Sequence, residues 1–167
     1  MKENKLRKTL AGGLVATIVM TVIIYLAPLL GMPGVDLPSM LGKFLTGLQA
    51  RPYSAAWDLG LLVHFVLGVF VLPALYVFLF YPRVPGKARI KGLYFGLVVW
   101  VVSQIAVMPL MGTGVLSIYT RYPVLVLLET LIAHIVYGVV LGSIIGESMI
   151  PGATPVETSE TKEEIGI

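Results

Sequence analysis

Four long apolar runs constrain this chain more than any other feature of its sequence. They cover approximately residues 10–30, 55–81, 90–111 and 123–146. A hydrocarbon core of about 30 Å is crossed by roughly 20 residues of α-helix. The runs are continuously apolar and lack the period of two that a barrel strand requires. We therefore predict an all-α polytopic membrane four-helix bundle, whose helices are called spans 1 to 4.

Composition agrees with this class and excludes others. The chain is 57% hydrophobic and 13% charged, with a mean hydropathy of +0.91, which is outside the range of soluble domains of its size. Cysteine is absent, so disulfides, iron–sulfur clusters and c-type haem attachment are excluded. The net charge of +3 comes from basic residues that flank the spans, so we interpret them as topology signals and expect no nucleic-acid partner.

The distribution of Lys and Arg predicts the orientation in the membrane. The segment before span 1 and the loop before span 3 carry four each, whereas the other two loops share three: Lys2, Lys5, Arg7 and Lys8; Arg83, Lys87, Arg89 and Lys91; and Lys43, Arg51 and Arg121. Cytoplasmic loops hold the excess of positive charge, so both termini are predicted to be cytoplasmic. After a membrane domain of residues 1–150, residues 151–167 are predicted to form a disordered cytoplasmic tail.

An internal duplication is visible in the sequence. KTLAGGLVATIVMTVIIYLAPLLG, from Lys8, and RIKGLYFGLVVWVVSQIAVMPLMG, from Arg89, both run 24 residues from a basic residue to Pro-Leu-Leu/Met-Gly. In the even-numbered spans, His64 and His134 each follow an arginine by thirteen residues. Each unit holds two spans, so we predict two tandem helical hairpins related by a pseudo-two-fold axis along the membrane normal.

The loop after span 1 is the main difference between the two units. Its apolar residues recur at helical spacing over about 36–49. This pattern predicts a short amphipathic helix on the outer face of the membrane.

The two histidines are the leading candidates for a functional site. By the predicted symmetry His64 and His134 lie at one depth, close to the bilayer midplane, where ionisable side chains are costly and are functional candidates by default. Each is followed four residues later by a glycine, Gly68 or Gly138. Paired imidazoles of a bundle can ligate haem b, with these glycines making room for the macrocycle and Arg51 and Arg121 as propionate partners.

Two other interpretations of the histidines stay open. Glycine at four-residue spacing also lets membrane helices approach closely, in which case the histidines are packing residues. The haem would hold spans 2 and 4 apart, whereas glycine packing would draw them together. A small transporter or channel, with Gln104 or Glu129 lining a wet cavity between the repeats, is the third interpretation.

Other polar residues within the spans have structural interpretations. We expect Thr17 and Thr21 to bond the carbonyl four residues earlier. Gln104 needs an interhelical partner, and a histidine nitrogen is a candidate. Tyr76 and Tyr81 are interpreted as part of an aromatic belt at the cytoplasmic boundary.

Several segments together resemble a known family. They are GLVATIVMT, HFVLG, YPRVPGKARIKGLYFG, MPLMG and HIVYGVVLG, within residues of about 8–147. The chain resembles an uncharacterised family of prokaryotic four-helix integral membrane proteins, a domain of unknown function. The resemblance implies the fold and a multi-pass location in the prokaryotic cytoplasmic (inner) membrane, and it implies no activity.

We hypothesise that the chain is a small non-enzymatic membrane protein. No nucleophile–base pair, carboxylate pair or open metal site is visible, so an enzyme is the least favoured class. The leading hypothesis is an accessory subunit of a respiratory or electron-transfer complex, which binds haem b and has the lipid bilayer and other membrane subunits as partners. The alternatives are a structural or assembly protein without a cofactor, and the small transporter or channel.

Overall fold

The computed structural model describes residues 2–146, and all four apolar runs are helical in it. The helices are α1 (Lys2–Leu26), α2 (Leu37–Thr46), α3 (Ala55–Phe80), α4 (Ala88–Leu110) and α5 (Pro123–Gly146). Spans 1 to 4 correspond to α1, α3, α4 and α5, which are long and apolar enough to cross a membrane. The prediction of an all-helical fold with four candidate membrane-spanning helices is therefore confirmed, and the predicted tail of residues 151–167 lies outside the described residues.

The four long helices surround a central space. α1 packs against both α3 and α5, and α4 packs along α5. α3 and α4 come together mainly where the π-helical turn Tyr76–Phe80 meets α4. The helices therefore stand in the order α3, α1, α5, α4, and the two histidine-bearing helices, α3 and α5, lie diagonally opposite.

Glycine sets the distance between α4 and α5. A Cβ atom added to Gly92 would overlap the carbonyl oxygen of Gly138, and one added to Gly138 would overlap that of Gly92. One turn further along, a Cβ atom on Gly96 would overlap the carbonyl oxygen of His134. The two backbones are thus in direct contact, which is how small residues drive helix association in lipid.

The short helix α2 packs against the beginning of α3. Gly42 faces the backbone of Ala56, and Gly60 faces the backbone of Pro38. Asp36 accepts a hydrogen bond from Ser39 N at 3.1 Å as the N-cap of α2. It also accepts one from Trp57 Nε1 of α3 at 3.1 Å, so α2 is held in a fixed place over one end of the bundle, called here the α2 face.

Aromatic residues close the opposite end, called here the terminal face. Tyr76 packs on Phe95 with ring centroids 5.2 Å apart, and its hydroxyl donates to the Ala88 carbonyl at 3.2 Å. Tyr76 is 0% exposed, so its interpretation as a belt residue is wrong. The error has a physical reason: the belt and a buried aromatic cluster near a helix end have the same sequence signature. Tyr81, partly buried, donates to the Gly146 carbonyl at 3.1 Å.

Candidate functional site

A cavity of about 250 Å³ lies between the four long helices. Leu37 and Leu41, at the beginning of α2, line its end at the α2 face. Most of its wall is aliphatic, but every long helix contributes polar side chains. They are Thr17, His64, Ser103, Gln104, Thr130, His134 and Tyr137. A largely apolar cavity with a few converging polar groups is the usual form of a small-molecule site.

Two π-helical turns lie at the level of this cavity. Leu67–Val71 in α3 and Ser103–Val107 in α4 have this conformation, and each is followed two residues later by a proline, Pro73 or Pro109. Proline has no N–H and its ring clashes with the preceding turn, and a π turn relieves that conflict without ending the helix. Leu67, Gly68, Ser103 and Gln104 of these turns line the cavity.

Of the two π-helical turns in α3, Tyr76–Phe80 does not line the cavity. The other, Leu67–Val71, leaves a backbone carbonyl without its helical partner. Leu72 N donates to Leu67 O, and the next residue, Pro73, has no proton to donate. The carbonyl of Gly68 is therefore left without its helical partner, and Tyr137 Oη of α5 donates to it at 2.7 Å. This hydrogen bond connects the diagonal helices α3 and α5 across the centre of the bundle.

His64 lines the cavity from α3 and is buried. Its Nε2 lies 3.0 Å from Thr21 Oγ1 of α1. Thr17 and Thr21 each donate to the carbonyl four residues earlier, at 2.7 Å, as predicted. The contact with the histidine ties α1 to α3.

His134 lines the same cavity from α5. Its Nδ1 lies 2.7 Å from the carbonyl oxygen of Thr130, one turn earlier in the same helix. A hydrogen bond from one ring nitrogen to a backbone carbonyl fixes both the orientation of the ring and the nitrogen that carries the proton.

A polar network connects α4 and α5 beside His134. Gln104 Nε2 donates to Thr130 Oγ1 at 3.1 Å, and Trp100 Nε1 donates to the same oxygen at 3.2 Å. Gln104 Oε1 accepts from Ser117 Oγ at 3.1 Å, and the Gln104 side chain is 1% exposed. The expected interhelical partner of Gln104 is confirmed, but a histidine as that partner is wrong: the amide nitrogen donates to Thr130 and the amide oxygen accepts from Ser117.

The two glycines of the haem hypothesis differ in position. Gly68 lines the cavity, and a Cβ atom on it would meet the side chain of Thr17. Gly138 is absent from the cavity wall and contacts Gly92 and Gly96 of α4. Glycine packing therefore brings α3 to α1 and α5 to α4, and not α3 to α5.

The two arginines of that hypothesis lie away from the histidines. Arg51 and Arg121 are exposed in the loops of the α2 face, and neither lines the cavity. The Arg121 guanidinium lies 5.3 Å from the ring centroid of Tyr122. In residues 2–146, no group of three or more His, Asp or Glu side chains is placed to hold a metal ion.

Glu129 lies in the core but outside this cavity. Its Oε1 accepts a hydrogen bond from Val35 N at 3.2 Å, and the side chain is 2% exposed. Its Oε2 has no hydrogen-bond partner among residues 2–146. Of the two residues named for a transport path, Gln104 lines the central cavity and Glu129 does not.

The cavity reaches the outer surface of the bundle between α3 and α4. Leu67 of α3 and Val102 of α4 line it, yet they are 41% and 54% exposed. Val107, one turn beyond Val102, is also both exposed and part of the wall. These three residues are called here the seam. In a membrane the seam would face the lipid acyl chains.

Sequence reasoning missed two residues that shape this site. Pro73 is a proline inside an apolar span, which by itself predicts a local break in the hydrogen-bond ladder. Tyr137 lies three residues after His134 on a near-common helix face, but its partner is a backbone carbonyl that only the fold provides. The proline was a usable signal, and the tyrosine was not.

Comparison with known proteins gives one match. A family model described as a family of unknown function (DUF6789) matches residues 3–151. No curated protein and no solved structure matches the chain.

Proposed function

The chain belongs to DUF6789, a family of unknown function, and we propose for it a binding function that rests on the cavity and not on the family. In this proposal the protein binds a small lipid-soluble molecule among α1, α3, α4 and α5. One observation carries it: an apolar cavity with converging polar groups has a wall that is exposed at the seam.

The size of the cavity limits the occupant. An apolar cavity of roughly 150 Å³ holds benzene. The volume here is about 250 Å³, so it suits a single ring with a short chain. Since Leu67 and Val102 lie at the surface of the bundle, such a molecule would enter from the lipid and not from water.

Haem b bound through His64 and His134 is the second candidate. It is favoured by two imidazoles on diagonal helices, each with one nitrogen held by the protein and both lining one cavity. Four coplanar pyrrole rings need more room than a single ring, so this candidate requires the histidine-bearing helices α3 and α5 to stand further apart. It also requires propionate partners other than Arg51 and Arg121. An oxidised and dithionite-reduced spectrum of protein expressed with haem decides it, since a Soret band lost in His134→Ala would favour haem.

The duplication remains part of the proposal. Two corresponding turns support it: Gly31 N donates to Pro28 O at 3.1 Å, and Gly112 N donates to Pro109 O at 2.9 Å. Both glycines have positive φ, 78° and 87°. We take these turns as remnants of one ancestral hairpin, whose two copies now enclose the cavity.

The proposed location is a prokaryotic cytoplasmic membrane, with the terminal face on the cytoplasmic side. The bias of Lys and Arg supports this orientation. The chain has no cysteine, so single cysteines at Val84 and at Leu48 can be tested with an impermeant maleimide in intact cells. Labelling at Leu48 alone is expected, and labelling at Val84 alone would reverse the topology.

Filling the cavity tests the binding function. Val99 lines the cavity, whereas its neighbour Val98 is exposed and does not line it. We expect 4-ethylphenol to raise the melting temperature of the detergent-purified protein, because a ligand that binds only the folded state stabilises it. The Val99→Phe variant should lose this rise and Val98→Phe should keep it. A rise of equal size in both variants would show that the probe acts elsewhere.

A further inference from the structure

The hydroxyl groups that line the cavity already donate their protons in hydrogen bonds within the protein. Thr17, Ser103, Thr130 and Tyr137 line it, and each hydroxyl donates to a backbone carbonyl at 2.7 to 2.8 Å. A hydroxyl has one proton and two lone pairs. Thr17, Ser103 and Tyr137 can therefore accept a hydrogen bond from a ligand, but they cannot donate one without breaking an existing bond. Both lone pairs of Thr130 Oγ1 are already used, because it accepts from Gln104 Nε2 and from Trp100 Nε1.

His64 also presents a lone pair. The contact of Thr21 Oγ1 with the Thr17 carbonyl, at 2.7 Å, is a hydrogen bond only if the hydroxyl is the donor, since a carbonyl only accepts. Thr21 thus has no proton left for the histidine, so Nε2 of His64 carries the proton and donates to Thr21. Nδ1 is then the acceptor nitrogen, and no residue among 2–146 donates to it.

His134 also has one unprotonated ring nitrogen, but in this residue it is Nε2. Nδ1 faces the Thr130 carbonyl at 2.7 Å and must carry the proton. Nε2 is the acceptor, and it has no hydrogen bond within the part of the chain that the structure describes. Two buried or half-buried imidazoles therefore line one cavity with an unused lone pair each.

Gln104 holds the one remaining proton among these side chains. One N–H of its amide donates to Thr130, and its oxygen accepts from Ser117. The second N–H stays available. The polar lining of the cavity is therefore rich in acceptors and poor in donors.

We infer that the molecule bound here is a lipid-soluble alcohol or phenol, whose O–H groups donate to His64 Nδ1 and His134 Nε2. This inference rests on the proposed binding function and gives the chemical class of its ligand. A ketone, quinone or ester has only acceptor oxygens, so it would leave both imidazole lone pairs unpaired in an apolar cavity, where an unpaired polar group is costly. A molecule with two hydroxyl groups can satisfy both.

A series of three probes of similar size tests the inference. They are ethylhydroquinone with two O–H donors, 4-ethylphenol with one, and 4-ethylanisole with none. Dissociation constants are measured on the detergent-purified full chain by thermal shift. Each hydrogen bond gained should tighten binding by about three- to tenfold, so the affinity is expected to rise from the anisole to the hydroquinone.

Variants assign the preference to the two rings. His64→Phe and His134→Phe keep the size of the side chain and remove its acceptor, so each should reduce the preference for the hydroquinone over the anisole by about three- to tenfold. Tyr81→Phe, outside the cavity, should retain it. Thr21→Val removes the group that fixes the proton on His64 Nε2, so the ring can turn an N–H toward the ligand. That variant should bind the anisole more tightly than the natural chain does.

The results distinguish a wrong ligand class from the absence of any ligand binding in the cavity. If all three probes bind equally well to the natural chain and not to Val99→Phe, the cavity binds ligands but the donor class is wrong. If none of the three binds, the binding function fails and the inference with it. If a histidine variant does not fold, the response of Thr21→Val to the anisole decides, and an unchanged affinity there overturns the assignment of the protons.

Discussion

The two sides of α4 show opposite ways of meeting a neighbouring helix. Toward α5, Gly92 and Gly96 lie against the backbone of the facing helix, and no side chain separates the two helix backbones. Toward α3, contact is made by Phe95 and its aromatic partners at the terminal face, and the helices then diverge. The first contact is closed along its length, whereas the second leaves a cavity with the seam as its opening.

Residue type at a few positions causes this difference. In lipid there is no hydrophobic drive between helices, so contact requires close packing or polar bonds. Glycines at four-residue spacing provide close packing on one side. On the other side Leu67, Val99 and Val102 line the space between the helices, and the π turns before Pro73 and Pro109 place polar groups in it.

The largest effect is expected at the closed contact. Gly138→Ala puts a Cβ atom into the backbone of α4, which cannot rotate away, and should cost about 3 kcal/mol or more of unfolding free energy. The same change at Gly68 meets only the Thr17 side chain and should cost about 1 kcal/mol. Unfolding by SDS titration in mixed micelles measures both. Equal costs would contradict the contrast between the two sides.

A smaller effect is expected in the polar network. Gln104→Leu leaves Ser117 and Thr130 without their shared partner in a buried place, so we expect a loss of about 1–2 kcal/mol. Ser103→Ala is the matched control, because that hydroxyl bonds only its own helix, and its cost should stay within about 0.5 kcal/mol. If the Gln104→Leu protein were as stable as the control, the polar network would not contribute to stability.

The diagonal hydrogen bond should contribute less again. Tyr137→Phe removes the donor to the free carbonyl of Gly68, and hydrogen bonds between membrane helices are typically worth about 0.6 kcal/mol. The same titration, with exposed Tyr119→Phe as the control, measures it. A gain in stability in Tyr137→Phe would mean that another group serves that carbonyl.

The smallest effect on stability is expected at the seam itself. Val102→Trp and Ile105→Trp both replace exposed residues of α4, 54% and 58%, but only Val102 lines the cavity. Both should change the unfolding free energy by no more than about 0.5 kcal/mol. Val102→Trp alone should slow the binding of 4-ethylphenol in stopped-flow fluorescence. Equal slowing in both variants would argue for another route of entry.

The sequence predicted the helices better than their arrangement. Length and hydropathy were sufficient for the four spans, and threonine chemistry was sufficient for Thr17 and Thr21, because these features depend on local structure. The partner of Gln104 and the burial of Tyr76 depend on which helix faces which, and no local pattern contains that information.

The candidate site was predicted only in part. Both histidines were recognised from their depth, and the structure brings them to one cavity. A cavity was expected only under the transporter interpretation, with Gln104 or Glu129 in its wall, and Gln104 does line the cavity observed. The seam was not anticipated, since it follows from the place where α3 and α4 diverge. Gly138 shows why spacing alone was insufficient: glycine four residues after a histidine can face a different neighbour from the histidine itself.

Photo-crosslinking in liposomes tests the central claim, that the cavity beside the seam binds a molecule from the lipid. The probe is an alkylphenol that carries a diazirine, and the labelled residues are read by mass spectrometry. We predict labelling concentrated on residues 64–72 and 99–107 and reduced by excess 4-ethylphenol. Labelling spread over lipid-facing side chains such as Ile18 and Ile132, and unaffected by the competitor, would contradict the account.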